Sequence, residues 1–223
     1  MITPLLGPNT VVVPAVNGIP WWYFYKLQGP YEDNRINCLD PDNNQWNAID
    51  PSRVLGCVVW ASAEVIQPGV VRHIHGNRMP LGEPDGSRSE RAKTLSQILI
   101  SCGLKSPVRN NIRNEIWMKL WGNLTFNPLS ALTSATLETL ANDPDCLPII
   151  RSMMQEGKKV GQALGVKFSM DIEARIRATA SVGNHRTSML QDLEQGRLME
   201  IDALIGSVVE LARLVNIPTP TID

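Results

Sequence analysis

From about residue 110 to 217 the chain keeps a helical spacing of apolar residues with few breaks, whereas the residues before it change character every few positions. The order of these two patterns limits the fold more than any average does. Short strands and turns come first and helices second, which makes an α/β piece followed by an all-α one. In the first half, Val11-Val12-Val13 is a β-branched run, and Asn17-Gly18 follows it as a turn signal. Residues 54–63, 70–75 and 78–82 read as successive strands joined at Pro68-Gly69 and Gly76-Asn77, an antiparallel meander ending at GEPDGS (82–87). Residues 28–53 are rich in Asp, Asn, Pro and Gly, with Tyr31 and Trp46 as anchors. So long an irregular insertion reads as a lid or a packed surface loop rather than a connector.

The period changes at Ser89. Leu95, Ile98, Leu99 and Cys102 share a helical face, and Gly103 suits the position just past the end. In NEIWMKLWGNLTFNPLSALT (114–133) the pair Asn127-Pro128 is expected to stop or kink the helix. Asp143-Pro144 marks another start, Ile150, Met153, Met154, Val160 and Leu164 its stripe, and Gly165 its end. Ser169 is expected to cap the next helix, with Asp171 and Glu173 in its first turn. A break at Glu194–Arg197 precedes a last helix from about Glu200 to Val215. The boundary between the two parts falls near residue 108, giving 1–108, with an insertion at 21–53, and 109–223.

Composition removes several classes. A formal net charge of −1 and no Lys/Arg run argue against nucleic acid as a partner. The longest apolar runs, such as VLGCVVWASA (54–63), are about half of a bilayer span, so no membrane segment is expected. MITPLLGPNT has no basic region before its apolar residues and is not read as a signal peptide. Cys38, Cys57, Cys102 and Cys146 are widely spread and read as reduced, mostly buried thiols of a cytoplasmic protein. His73 and His75 share a strand face without a third ligand, so no metal is expected.

The chemistry concentrates in two segments. Lys119, Asn123 and Asn127 follow one another at i, i+4 and i+8, so a helix aligns them in one stripe that drifts about 40° per step. One ammonium and two amides, flanked by Ile116, Trp117, Leu120, Trp121, Leu124 and Phe126, make one wall of a pocket for a polar, anionic small molecule. A snorkelling Lys and a capping Asn give the same spacing with no site at all. The second segment, HRTSMLQDLEQGRLMEIDALIG (185–206), carries Ser188 and Glu200. Glu200 stands at the start of the last helix, where a carboxylate also serves simply as a dipole partner. Taken together, a Lys near a carboxylate and amides can protonate a carbonyl oxygen, while Ser and Asn hold a carboxylate and hydroxyls. Ser188 has His185 three residues away but no orienting third group, so hydrolysis fits less well than proton-coupled reduction of a keto acid. The hydride must then come from a nicotinamide.

KLWGNLTFNPLSALT (119–133) and TSMLQDLEQGRLMEID (187–202) resemble the two signature segments of the ketopantoate reductases (2-dehydropantoate 2-reductases). ITPLLGPNTVVVPAVNGIP (2–20) resembles the segment that closes that family's cofactor domain, and VVRHIHGNRMPLGE (70–83) its later sheet strands. The resemblance covers nearly the whole chain. It implies the C-terminal portion of a Rossmann-type domain followed by a helical domain like that of 6-phosphogluconate dehydrogenase. It also implies NADPH-dependent reduction of 2-dehydropantoate to (R)-pantoate, a step toward pantothenate and coenzyme A, and leaves room for a homodimer. By the same resemblance Lys119 is the general acid, Asn123 and Asn127 bind the hydroxyl and keto side of the substrate, and Ser188 binds its carboxylate. Glu200 positions the Lys, the cofactor ribose or the substrate, and Asn17 lies beside the nicotinamide. His185 stands where some members have a substrate-contacting Asn.

The departures are as specific as the matches. The early glycines Gly7, Gly18 and Gly29 do not have GxGxxG spacing, so the chain is expected to start where the family is finishing its Rossmann unit. Val16 stands where Gln is common, and the insertion opens with Trp21-Trp22-Tyr23-Phe24-Tyr25, aromatics that could pack or could cover a substrate. Three other readings stay open: a reductase of another branched 2-keto acid, an inactive fragment serving in binding or oligomer contacts, and a hydrolase using Ser188.

Overall fold

The computed structural model describes residues 2–223, which divide into two compact units, one running to Glu115 and the other Ile116–Asp223. The first contains helix α1 (Asn44–Ile49), strands β1 (Gly56–Cys57), β2 (Trp60–Gln67), β3 (Val70–Arg78) and β4 (Leu81–Gly82), and helix α2 (Glu90–Ser101). Its strands form two separate antiparallel pairs, β1 with β4 and β2 with β3. The expected meander is therefore wrong. The run 54–63 divides, because Leu55 and Cys57 are drawn into a core cluster with Leu81 and Ala92, while Trp60 onward leaves as an exposed hairpin. Gly76-Asn77 is not a turn. Gly76 lies inside β3 at φ +77°, where the register against Trp60 and Ser62 shifts, and a Cβ there would collide with the Trp60 carbonyl oxygen. This is a bulge, for which glycine supplies the needed backbone. Of the Val11–Val13 run only Val12 pairs, in a parallel bridge to Val54.

The insertion is part of the core of this unit. Trp22, Tyr23 and Phe24 are exposed by 1% or less, and Ile19 and Ile36 are buried with them. Trp46 meets Trp21 and Tyr25 edge-on at 5.8 and 5.9 Å, with the Arg35 guanidinium 3.3 Å over its face. Asp40 accepts from the Gln45 and Trp46 N–H groups, both at 2.9 Å, which starts α1. The notion that Trp22, Tyr23 and Phe24 cover a substrate is corrected, since fully buried rings offer it no surface.

The long helix α3 (Ile112–Thr133) opens at the end of the first unit and carries the chain into the second. It is followed by α4 (Leu137–Asn142), α5 (Cys146–Ala163), α6 (Ile172–Ala180), α7 (Ser188–Glu194), a π turn at Asp202–Gly206 and α8 (Ser207–Leu214). Helix α3 does not stop at Asn127; it runs through Pro128. An interior Pro costs about 3 kcal/mol. Leu124 and Phe126 on the near side and Ser130 on the far side are all buried, and each large apolar side chain gains about 1.5–3 kcal/mol from burial, so packing outweighs the broken ladder.

Helix α5 presents Ile150, Met153, Met154 and Val160 to the core, as their spacing predicts. At Gly161 a Cβ would come within 3.0 Å of both Phe168 and Trp117, so only glycine lets the aromatic residues seat there. Gly103 and Gly165 end α2 and α5 with paired bonds, Leu104 N–H to Leu99 O and Val166 N–H to Gly161 O among them, as the sequence suggested. Two details differ. Asp171 rather than Ser169 caps α6, its carboxylate accepting from the Ala174 N–H, a stronger acceptor two residues nearer the helix. Of the four cysteines only Cys57 is buried; Cys38 is half-buried, Cys146 is half-buried against a core cluster, and Cys102 is exposed because it lies just past the end of α2.

Candidate active site

On α3 the residues Trp117, Leu120, Trp121 and Leu124 are buried to 1% or less, and the Trp121 Nε1–H donates to the Met154 carbonyl at 2.8 Å. That fixes the rotation of the helix about its own axis. Lys119 and Asn123 are half-buried, and Asn127 is buried at 6% exposure. The helix thus aligns the three as one stripe that goes from partial to nearly full burial along its length. A half-buried ammonium beside two amides can bind and neutralise a developing oxyanion, and hold hydroxyl or carbonyl groups along the stripe.

The other candidates lie as follows. Ser188 is the exposed first residue of α7, and its neighbour Thr187 performs the capping, accepting from the Leu190 N–H at 3.2 Å. Glu200 is exposed and is the last residue before the final helix, rather than within its first turn; its carbonyl accepts the Leu204 N–H at 3.1 Å. The loop after Gly196 takes up residues that a continuous helix would have used. Ser188 and Glu200 therefore stand at the N-terminal ends of two successive helices, in the same unit as the stripe. Asn17 belongs to the other unit, half-buried and immediately before Gly18 at φ +75°. His185 is half-buried and its backbone carbonyl accepts from the Leu137 N–H at 3.0 Å.

Two arginines escaped the sequence reading. Arg113, in the first turn of α3, sends its guanidinium into the interior of the first unit. There Nε donates to Tyr23 O at 2.7 Å, Nη2 to Tyr25 O at 2.8 Å and Nη1 to Pro84 O at 2.5 Å. Burial holds its pKa below the usual guanidinium value. Arg175 on α6 is half-buried, again with its pKa lowered by desolvation, and packs on Gly122, where a Cβ would collide with its guanidinium. Its signal was the glycine next to Asn123, which leaves room for a large neighbour.

Among the described residues no three His, Cys, Asp or Glu side chains converge as a metal site, and no helix is long and apolar enough to cross a membrane. A groove of about 490 Å³ lined by Arg151, Gln155, Lys159 and Glu173 lies apart from the candidates in its lining, as does one of about 350 Å³ lined by Thr10, Arg53 and Arg91.

Residues 111–223 match the family described as ketopantoate reductase PanE/ApbA, C terminal. The whole chain is 52% identical to a 2-dehydropantoate 2-reductase of Mesorhizobium japonicum, spanning 68% of that protein. A solved structure from Ralstonia solanacearum, assigned to the ketopantoate reductases, superposes over the entire chain with a TM-score of 0.95 at 40% identity, and the chain covers 68% of it. The complex of D-mandelate dehydrogenase with NADH, 21% identical with a TM-score of 0.80, shares the fold over the whole chain and is covered to 70%. Matches to reductases of Archaeoglobus fulgidus and Halobacterium salinarum cover about half of those proteins.

The fold class is thus that of an NAD(P)-dependent oxidoreductase, the later part of a Rossmann-type domain followed by a helical C-terminal domain. The chain belongs to the ketopantoate reductase family.

Proposed function

We propose that the protein reduces the 2-keto group of 2-dehydropantoate to (R)-pantoate with NADPH, with the helical unit as the substrate domain. The observation that carries this reading is the Lys119–Asn123–Asn127 stripe on α3, inside the segment that matches the family. A bound nicotinamide supplies the hydride. Of the residues named, Asn17 fits beside it, because its amide both donates and accepts; the described glycines do not have the spacing of a dinucleotide phosphate turn.

Lys119 protonates the carbonyl oxygen as the alcohol forms, and its charge stabilises the oxygen before the proton moves. Asn123 and Asn127 hold the hydroxyl and keto side, and the Ser188 hydroxyl holds the carboxylate. Glu200 orients the ammonium, the ribose or the substrate. The aromatic insertion gave the main reason to consider another branched 2-keto acid, and the burial of Trp22, Tyr23 and Phe24 weakens that reason. The protein would work in the cytoplasm and, like the Staphylococcus aureus ketopantoate reductase described as dimeric, as a homodimer, which sedimentation would check.

The test is steady-state turnover of the full-length protein with ketopantoate or 2-ketoisovalerate, and NADPH or NADH. Preference for ketopantoate and NADPH is expected; loss of preference for the hydroxymethyl substrate rejects the pantoate assignment. Lys119→Ala should lower turnover ~10²–10⁴-fold, the usual worth of a positioned general acid. An unaltered rate in that variant rejects the role of Lys119.

A further inference from the structure

The last helix passes at once into a π turn. Across Asp202–Gly206 the bonding is five residues long, and the Ser207 N–H donates to the Asp202 carbonyl. In an α-helix that N–H would belong to Ala203, four residues back. The wider turn therefore takes a backbone donor from Ala203, and the Ser207 side chain supplies another: its Oγ–H donates to the Ala203 oxygen at 2.8 Å. Ser207 is fully buried, and so are Leu204, Val208, Leu211 and Ala212. The core thus fixes the rotation of α8. Everything before the turn is rotated by about 100° from where an uninterrupted α-helix would put it. Glu200 is what comes before, tied to the turn by its carbonyl bond to the Leu204 N–H.

We propose that this π turn is a positioning device for Glu200, and that Ser207 is the residue that holds it. The inference rests on the role of Glu200 given above. The extra residue turns Glu200 without disturbing the buried face of α8. In a regular helix a serine makes the same back-bond as an optional second interaction. Here it serves a carbonyl whose α-helical backbone donor has gone elsewhere, and it does so from a fully buried hydroxyl that has itself to find an acceptor. Ser207 reaches the chemistry only through the backbone and is a positioning residue, not a catalytic one.

Ser207→Ala, Ser207→Thr, deletion of Ala203 and Glu200→Gln in the full-length protein test this. Two readouts are needed: amide hydrogen exchange of residues 201–208 without cofactor, and kcat and KM for ketopantoate with NADPH. Ser207→Ala should speed exchange in this turn about tenfold and lower kcat by a similar factor with little change in KM; Ser207→Thr should restore both. Deleting Ala203 should convert the turn to α-helix, lower kcat as far as Glu200→Gln does, and make Ser207→Ala silent in exchange. Unchanged exchange and kcat in Ser207→Ala overturn the proposal. So does full kcat after deletion of Ala203 with native circular dichroism. If that deletion does not fold, the Ala and Thr pair decides alone. If Glu200→Gln keeps its kcat while Ser207→Ala loosens the turn, the catalytic role of Glu200 fails and the inference about positioning fails with it; the hold of Ser207 on the turn then stands as architecture only.

Discussion

Arg113 shows what a single residue can hold. Its planar guanidinium fans out to three backbone carbonyls, those of Tyr23, Tyr25 and Pro84, and so ties the aromatic segment and the turn after β4 to the first turn of α3. Arg113→Met would leave three inward-facing carbonyls without their donor and should cost about 3 kcal/mol, measured by urea denaturation. Arg113→Lys should recover little, because one ammonium cannot match the fork. A loss under about 0.5 kcal/mol in the Met variant would show that water replaces the guanidinium. In the sequence this residue is one charge near a helix start and looks solvated, since nothing local names its acceptors, which lie some 30 and 90 positions away. Lys119, Asn123 and Asn127 were legible for the opposite reason: their relation is a helical period, and a period is local. Arg175 falls between these cases, announced only by the bare backbone at Gly122.

At the scale of the element, ends were easier to read than interiors. Asp143 accepts the N–H groups of Cys146 at 2.8 Å and Asp145 at 2.9 Å, and these bonds hold its carboxyl below the usual carboxylate range. The folded state therefore binds that proton more weakly than the unfolded one. The stability it contributes is present above the unfolded pKa and is lost as pH falls through the folded one. Asp143→Asn keeps an acceptor but has no carboxylate to titrate. Its thermal midpoint should thus fall less steeply than that of the wild type from neutral pH to ~3. Parallel profiles would mean that this carboxylate contributes nothing to the acid limb. The caps and Gly ends that shape α2 and α5 follow from local hydrogen bonding, so the sequence carries them. The passage of α3 through Pro128, the bulge at Gly76 and the π turn before α8 do not, because each is a local cost that burial elsewhere offsets.

At the scale of the whole molecule, the β2–β3 hairpin stands out as a surface. Val65 and Val71 face each other across it and remain 72% and 65% exposed, with Ile66 and Ile74 also open to solvent. A two-stranded sheet with apolar side chains in water invites pairing with another chain. Val65→Lys with Val71→Glu should reduce concentration-dependent light scattering and leave the unfolding free energy within about 0.5 kcal/mol, since neither side chain contributes to a core. Scattering that does not change would locate association elsewhere.

The sequence by itself determined the order of an α/β piece and a helical one, most helix ends, the polar stripe on α3 and the family. All of these rest on spacing within a few residues or on the matching of whole segments. Only the tertiary structure decided that the aromatic insertion is core, that the apolar run 54–63 divides between a core pair and an exposed hairpin, and that the last helix opens through a π turn. Burial decides those, and burial is a property of residues distant in sequence that meet only when the chain is folded.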